Sequence, residues 1–210
     1  MSAVTAAGSP AWVWYLMRGS GAVSLVLLAA SVFAGVAVTL RWSSRFATRL
    51  VVEGMHRNLS LLACCFLGVH VLTAVLDTFV SVSALDVVVP FSAGYQPLWM
   101  GLGTLVLDLL IALVVTSLLR DRIDRRVWRL VHWSAYACFP LALAHSIGSG
   151  TDSLQPWLLS IDVATAFAIG AVYSSRLSAG RQADTPAAGA YAGATDRTWF
   201  PPPPPNPSSR

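Results

Sequence analysis

Five long apolar segments dominate this chain and limit what it can fold into. They cover about residues 20–40, 58–80, 98–119, 130–148 and 156–175. A helix needs about 20 residues to cross the hydrocarbon core of a bilayer, and each segment approaches or exceeds that length. None of them alternates apolar and polar residues with the period of two that a barrel strand shows. The pattern predicts an all-α fold, a polytopic membrane helix bundle with five transmembrane helices.

The overall composition agrees with a membrane protein. Hydrophobic residues make up 55% of the chain and charged residues only 11%, whereas soluble domains have about 25% charged residues. The first segment is long for a secretory signal and lacks both a strongly basic stretch before it and a clear cleavage site after it, so we expect a retained helix. Cys64, Cys65 and Cys138 lie within apolar segments without CxxC spacing, which indicates packing residues. We predict a multi-pass protein of the cell membrane, surrounded by lipid.

The positive charge of the chain is distributed in a way that predicts its orientation. All 14 basic residues are arginines, and most lie in two of the connecting segments. The first group comprises Arg41, Arg45, Arg49 and Arg57, and the second Arg120, Arg122, Arg125, Arg126 and Arg129. The other connecting segments, around 81–97 and 149–156, contain no arginine. Because cytoplasmic loops are enriched in basic residues, we expect the N-terminus outside and the C-terminus in the cytoplasm, with no nucleic acid as partner.

All four histidines lie in or at the edge of the second and fourth apolar segments. His56 and His70 are 14 residues apart, and His132 and His145 are 13 residues apart. At about 1.5 Å rise per residue, each separation spans roughly 20 Å of helix, so each helix has one imidazole near each face of a core about 30 Å thick. Imidazole is a common ligand of metals and of haem iron. Two such helices have the ligands to hold two haems stacked across a membrane.

The predicted orientation selects the histidine pairs. The second and fourth helices both run from the cytoplasm to the exterior, so His56 and His132 share the inner side, whereas His70 and His145 share the outer side. A separation of 14 residues leaves two histidines on one helix face, but 13 residues falls about 140° short of whole turns. Pro140 lies between His132 and His145, where we expect it to kink the helix or change its winding.

Four sequence stretches resemble the ferric reductase-like transmembrane domain family, most of all its small actinobacterial members. They are YLMRGSG (15–21), HRNLSLLACCFLGVHVLTAVLD (56–77), GYQPLWMGLGTLVLDLLIALVVTSLLR (94–120) and VWRLVHWSAYACFPLALAHSIGSGTD (127–152). The family includes the membrane domains of NADPH oxidases and the haem-binding subunit of the periplasmic methionine sulfoxide reductase system. The resemblance implies two b-type haems with His56, His70, His132 and His145 as axial ligands. It also implies electron transfer to an exterior acceptor whose identity the sequence does not give.

The resemblance covers a predicted haem-binding domain at residues 12–177, after an N-terminal segment at 1–11. The 33 residues from 178 to 210 are rich in Ala, Gly and Pro, which predicts a disordered cytoplasmic tail ending in a PPPPP run at 201–205. No GxGxxG motif occurs in a strand-turn-helix context. We therefore expect a separate flavin-dependent reductase, or a quinone, as electron donor. The chain would then be the membrane electron-transfer subunit of an oxidoreductase system and not a self-contained enzyme.

Other intramembrane residues have weaker assignments. Asp108 lies in the middle of a predicted span, where either a packing role or proton uptake would explain it. Arg18, Arg57 and Arg129 lie near span ends, where each could pair with a haem propionate or only set the topology. Gly101 and Gly103 form a small-residue patch that favours close helix contact. Two other functions remain open: a small proton or metal transporter that uses Asp108 and the histidines, and a haem-free membrane scaffold subunit.

Overall fold

A computed structural model describes residues 10–40, 48–78, 82–149 and 155–184. The predicted features at Arg41, Arg45 and the polyproline run lie outside these ranges, as does most of the predicted tail. Contacts divide the chain into two compact units, Met1–Val172 and Tyr173–Arg210. The first contains all four histidines, and the second is described only over residues 173–184.

Seven helices make up the described part of the chain, which contains no strand. They are α1 (Ala11–Thr39), α2 (Arg49–Leu76), α3 (Ala84–Val88), α4 (Pro97–Leu118), α5 (Arg125–Trp133), α6 (Ala135–Ser149) and α7 (Pro156–Asp184). Within the described residues, four helical stretches are long and apolar enough to cross a membrane: α1, α2, α4 and Pro156–Ser178 of α7. Their mean hydropathy is 2.3, 2.3, 2.3 and 1.5 respectively. The all-α prediction is confirmed, and four of the five predicted spans correspond to single helices.

The remaining predicted span, 130–148, is divided at Ser134 into α5 and α6. The Ser134 N–H donates to the carbonyl of Val131, three residues back, which tightens the end of α5. The Ser134 carbonyl then accepts from Ala137 and Cys138 as α6 begins. Pro140, where a kink was expected, lies inside α6. The regular helix is therefore interrupted six residues before Pro140, between His132 and His145, which leaves helices of 9 and 15 residues that are each too short to span alone.

The helices pack as two antiparallel pairs that meet in the middle. α1 lies along α2, α4 lies along α6, and α1 also contacts α6. A buried cluster of Val106 and Leu113 from α4 with Cys138 from α6 marks the second contact, and Leu28 of α1 packs against it. Cys138 is fully buried and unpaired, as expected of a packing cysteine. In lipid, such contacts stabilise helix association through van der Waals packing, because lipid tails are as apolar as the helices.

The outer surface of the bundle is apolar as well. On α2, Leu61 and Leu72 are 56% and 60% exposed although the helix has a mean hydropathy of 2.3. Exposed leucines on so apolar a helix suit a hydrocarbon environment, because water would disfavour a continuous apolar surface of this kind. The exposure pattern therefore agrees with a helix that faces lipid.

The short helix α3 lies in the connection between α2 and α4. Ser83 and Asp86 form a reciprocal capping box at its start. The backbone N–H of Ser83, then the hydroxyls of Ser92 and Ser83, donate to the Asp86 carboxylate and lower its pKa. The Thr104 hydroxyl donates to the Asp86 carbonyl at 2.8 Å. This hydrogen bond fastens α3 to the first half of α4.

Candidate functional site

The four histidines lie in two facing pairs. The ring centroids of His56 and His132 are 6.4 Å apart, with an angle of 79° between the ring planes. Those of His70 and His145 are 6.3 Å apart, with an angle of 82°. The structure thus brings together the same two pairs that the predicted orientation selects. It does so because α2 runs parallel to α5 and α6, so the first histidine of each helix meets the first of the other.

Each gap between two rings has the size that one shared metal atom requires. A bond of about 2 Å from metal to imidazole nitrogen, plus about 1 Å from that nitrogen to the ring centre, puts two trans imidazole centroids about 6 Å apart. Among the described residues, no three His, Cys, Asp or Glu side chains come together as a metal-binding group. Two facing imidazoles, with no third such side chain grouped with them among the described residues, would suit a metal whose other ligands come from a prosthetic group such as haem. The donor set therefore fits haem better than a free metal ion.

Three of the four imidazoles are oriented by a backbone carbonyl. The Nδ1 atoms of His56, His70 and His145 donate to the carbonyls of Ser31, Met17 and Trp99, at 2.9, 2.8 and 2.8 Å. A carbonyl oxygen only accepts, so the proton is on Nδ1 in each ring. Nε2 of each neutral ring then has its lone pair free for a metal. Histidines that ligate metals usually have such a second hydrogen bond, which fixes the ring and raises its basicity.

His132 is held differently. Its Nδ1 is buried without a hydrogen-bond partner in the described part of the chain. Instead, its ring stacks on that of Trp128, with centroids 4.7 Å apart and an angle of 17° between the planes. The four-residue spacing on α5 places both rings on one helix face. This spacing is the signal in the sequence that could have identified Trp128 beforehand.

A cavity opens beside His70 and His145. Its volume is about 210 Å³, below the 300–1,000 Å³ that is typical for ligand clefts. The walls come mainly from α1, α2, α4 and α6, and they include Gly21 and Gly103. The cavity thus lies beside both rings of the second histidine pair.

Arg18 is the predicted arginine that reaches this cavity. Its guanidinium lies over the rings of Trp14 and Trp157, at 4.9 and 5.9 Å from their centroids, which holds the charge in place. Arg57 and Arg129, the other two arginines considered as carboxylate partners, lie on the exposed surface. A fixed guanidinium at the edge of a ligand cavity can bind a carboxylate through paired hydrogen bonds.

The most deeply buried acid among the described residues is Asp162, and not Asp108, which the sequence indicated. Asp108 is half-buried and has no hydrogen bond or ion pair within the described residues. Asp162 on α7 is only 1% exposed, and the Ser146 hydroxyl donates to its carboxylate at 3.1 Å. Ser146 directly follows His145, so this carboxyl group lies close to the second histidine pair. The presence of an acidic residue within the fifth apolar segment was the sequence feature that could have identified Asp162 beforehand.

The glycine patch on α4 contacts two different neighbours. A side chain at Gly101 would overlap with Phe91 of the α3–α4 connection, so Gly101 admits that loop and not a second helix. Phe91 has a φ of 67°, a conformation that a bulky residue rarely adopts. Gly103 faces the ring of His145 on α6. The predicted close helix contact therefore holds at Gly103 and not at Gly101.

Residues 20–143 match the sequence model of a family described as ferric reductase like transmembrane component. The match covers 124 of the 210 residues and includes His56, His70 and His132. It ends two residues before His145, which the structure places opposite His70. No curated protein and no solved structure matches the chain significantly.

Proposed function

Since this chain belongs to the ferric reductase-like transmembrane family, we propose that it passes electrons across a membrane through two haems b. It is a multi-pass membrane protein, as its apolar helices predict. His56 and His132 are the proposed axial ligands of one haem, and His70 and His145 are those of the other. The observation that carries the proposal is the geometry of the two pairs, whose ring centroids are 6.4 and 6.3 Å apart, the spacing that one shared metal atom would need.

Bound haem supplies an iron that takes up and releases one electron. The protein supplies the surroundings that make this useful. The carbonyls of Ser31, Met17 and Trp99 orient three imidazoles, and the stack with Trp128 orients the fourth. Arg18, in the wall of the cavity, would pair with a propionate of a haem held by His70 and His145. Apolar surroundings would raise the influence of each of these groups on the reduction potential.

The two sites form a path along the helices. Between His56 and His70, 14 residues of helix separate the two levels by about 20 Å. In the proposed orientation, the N-terminus is outside, the C-terminus is cytoplasmic, and α5 with α6 completes the fifth crossing. Electrons from a flavin-dependent reductase or a quinone would enter at the His56–His132 level and leave from the His70–His145 level to an exterior acceptor. The chain is then a relay that depends on partners at both ends.

The first experiment measures haem stoichiometry and spectrum. Purified full-length protein should contain two haems b per chain, both low-spin when oxidised. Imidazole planes that are nearly perpendicular, as in both pairs, leave two iron orbitals close in energy, so both sites should give strongly anisotropic EPR signals. Leu72→Ala, at a lipid-facing position two residues from His70, should match the wild type.

A haem-free wild-type protein would overturn the proposal and favour the scaffold. Flux of protons or metal ions in vesicles, in a protein without haem, would favour the transporter instead. Two haems with EPR signals typical of parallel imidazole planes would keep the function but contradict the geometry of the pairs.

A further inference from the structure

Three of the four histidine rings lie directly against a glycine of the facing helix. A β-carbon at Gly21 would be 2.9 Å from Nδ1 of His70, and one at Gly35 would be 3.2 Å from Cε1 of His56. At Gly103, a β-carbon would be 2.7 Å from both Nδ1 and Cε1 of His145. Real β-carbons essentially never approach other atoms within 3.0 Å. The rings of His70 and His145 can therefore occupy these positions only because the facing residue has no side chain.

Each of these glycines follows the acceptor carbonyl by four residues. Met17 precedes Gly21, Ser31 precedes Gly35, and Trp99 precedes Gly103 at this spacing. In a helix, the β-carbon of a residue leans toward the N-terminus and covers the carbonyl of the preceding turn. Glycine uncovers that carbonyl, so a ring from another helix can donate to it. We call this unit, a carbonyl with a glycine four residues later, the glycine clamp.

The spacing of the clamps on α1 matches the spacing of the histidines on α2. Gly21 and Gly35 are 14 residues apart, as are His56 and His70. Because α1 and α2 are antiparallel, Gly35 meets His56 and Gly21 meets His70. One helix thus holds both rings of its neighbour at two depths of the bundle.

His132 has no glycine clamp. Thirteen residues beyond Gly103, the spacing that separates His132 from His145, α4 has Thr116. The Thr116 hydroxyl donates to the carbonyl of Ala112 at 2.7 Å, so the carbonyl four residues back is already occupied. The stack on Trp128 leaves the Nδ1 of His132 without an acceptor among the described residues.

We propose that Gly21, Gly35 and Gly103 are positioning residues that orient three imidazoles for metal binding, and that their absence at His132 makes the two sites unequal. The first statement concerns the rings themselves and stands without haem. The second rests on the proposed function. A hydrogen bond from Nδ1 to a carbonyl makes the imidazole a stronger electron donor and favours the oxidised metal. The His70–His145 site, with two clamped ligands, should therefore have the lower reduction potential.

The first test uses the protein without haem. The chain has only four histidines, so selective ¹⁵N labelling of their rings in detergent-solubilised full-length protein yields a tractable NMR spectrum. Three rings should show a proton on Nδ1 that exchanges slowly with water, and the His132 ring should not. Gly103→Ala should abolish the protected signal of His145 only. Gly19→Ala and Gly68→Ala, whose β-carbons would meet nothing within 4 Å, should leave all signals unchanged.

The second test uses the protein with haem. Gly103→Ala and Gly21→Ala should weaken haem binding at one of two sites by about 10–100-fold, as loss of such outer contacts does in other metal proteins. Both should raise the lower of the two midpoint potentials and alter one EPR signal. Gly35→Ala, with the mildest contact, should retain both haems and raise the higher potential. It serves as the variant that remains informative should the tighter substitutions prevent folding.

Suppose that Gly103→Ala and Gly35→Ala have the same haem affinity, reduction potentials and ring NMR signals as the wild type. That result would overturn the proposal while leaving the two-haem function intact. Two equal potentials in the wild type would overturn the inequality of the sites. A haem-free wild type would refute the proposed function, and the ring NMR would still decide the role of the glycines.

Discussion

The two histidine pairs have the same ligands and almost the same geometry, yet different surroundings. Their centroid distances differ by 0.1 Å, at 6.4 and 6.3 Å, and their ring angles by 3°, at 79° and 82°. At the His70–His145 pair, both rings donate to carbonyls and adjoin a cavity. At the His56–His132 pair, one ring donates to a carbonyl and the other stacks on Trp128. The comparison teaches that identical ligands can give different sites when the contacts around them differ.

The difference follows from which helices supply each ring. Both rings of α2 face α1, whose glycines recur at the matching interval. The rings of His132 and His145 come from two helices, α5 and α6, because the helix is interrupted at Ser134. Only α6 is aligned with Gly103 of α4. The break therefore separates the two rings into different environments although they are only 13 residues apart.

The largest expected effect comes from removing ligands. His70→Ala and His145→Ala should each abolish the same haem and leave the other, and His56→Ala and His132→Ala should do the reverse. In the proposed sites, loss of either imidazole would leave the iron with one protein ligand, which is insufficient for stable low-spin binding. The haem content and the potential of the remaining component would be measured in each variant.

This prediction is tested by comparing which of the two haem signals each histidine variant loses. Leu130→Ala, at a 75% exposed position two residues from His132, serves as the control. If His56→Ala and His145→Ala removed the same haem, the comparison between the two pairs would have to be abandoned.

A smaller effect is expected at Trp128. Trp128→Ala removes the stack on His132, and aromatic pairs of this kind contribute about 0.5–1.5 kcal/mol beyond their buried area. Haem retention at the His56–His132 pair should fall by about two- to tenfold, with the other pair unchanged. Transfer of haem to an excess of apomyoglobin would measure it. Trp133→Ala, at a 67% exposed position on the same helix, should behave as wild type; an equal loss at both pairs would contradict the assignment of Trp128 to one of them.

The smallest effect is expected at Asp86, at the edge of the cavity beside the His70–His145 pair. Its folded pKa lies below the ordinary value of 3.8, mainly because the Ser83 backbone N–H donates to its carboxylate. The carboxylate therefore stabilises α3 fully above pH 3.8, and this contribution is lost as the pH falls through the lowered pKa. Asp86→Asn should increase amide exchange in α3 at neutral pH and make no difference in strong acid.

Asp121→Asn, at an exposed position in the α4–α5 connection, provides the control for that measurement. Faster exchange in α3 of Asp86→Asn that persisted unchanged at the acid end would show that the carboxylate charge is not the cause.

Much of the bundle could be predicted from local sequence properties. Segment length and hydropathy identified α1, α2, α4 and the first part of α7, because a helix in lipid must satisfy its own backbone and face apolar surroundings. The break at Ser134 could not be predicted in this way. The stretch 130–148 is less apolar than 98–119, because it includes His132 and His145, but its length is close to that of one span, and Pro140 was the expected place for a kink. The position of the interruption depends on the backbone hydrogen bonds that the turn at Ser134 forms with neighbouring residues.

The candidate site, like the bundle, could be predicted only in part from the sequence. The spacing of the histidines and the distribution of arginines gave two pairs, which remain predicted ligands. The roles of Trp128, Asp162 and the glycines depend on contacts between segments far apart in the chain. Gly21 and His70 are 49 residues apart, and nothing local to either residue reveals the other.

The sequence by itself determined the helical membrane bundle and the four imidazoles at two depths, because hydropathy and helical rise act along one segment at a time. Only the tertiary structure decided which carbonyl each ring bonds and where the helix is interrupted between His132 and His145. It also decided which histidine has no hydrogen-bond acceptor for its Nδ1 among the described residues. Those features depend on the distance and angle between neighbouring helices. A single β-carbon at Gly103 would come within 2.7 Å of the His145 ring, which is close enough to change which carbonyl that ring can reach.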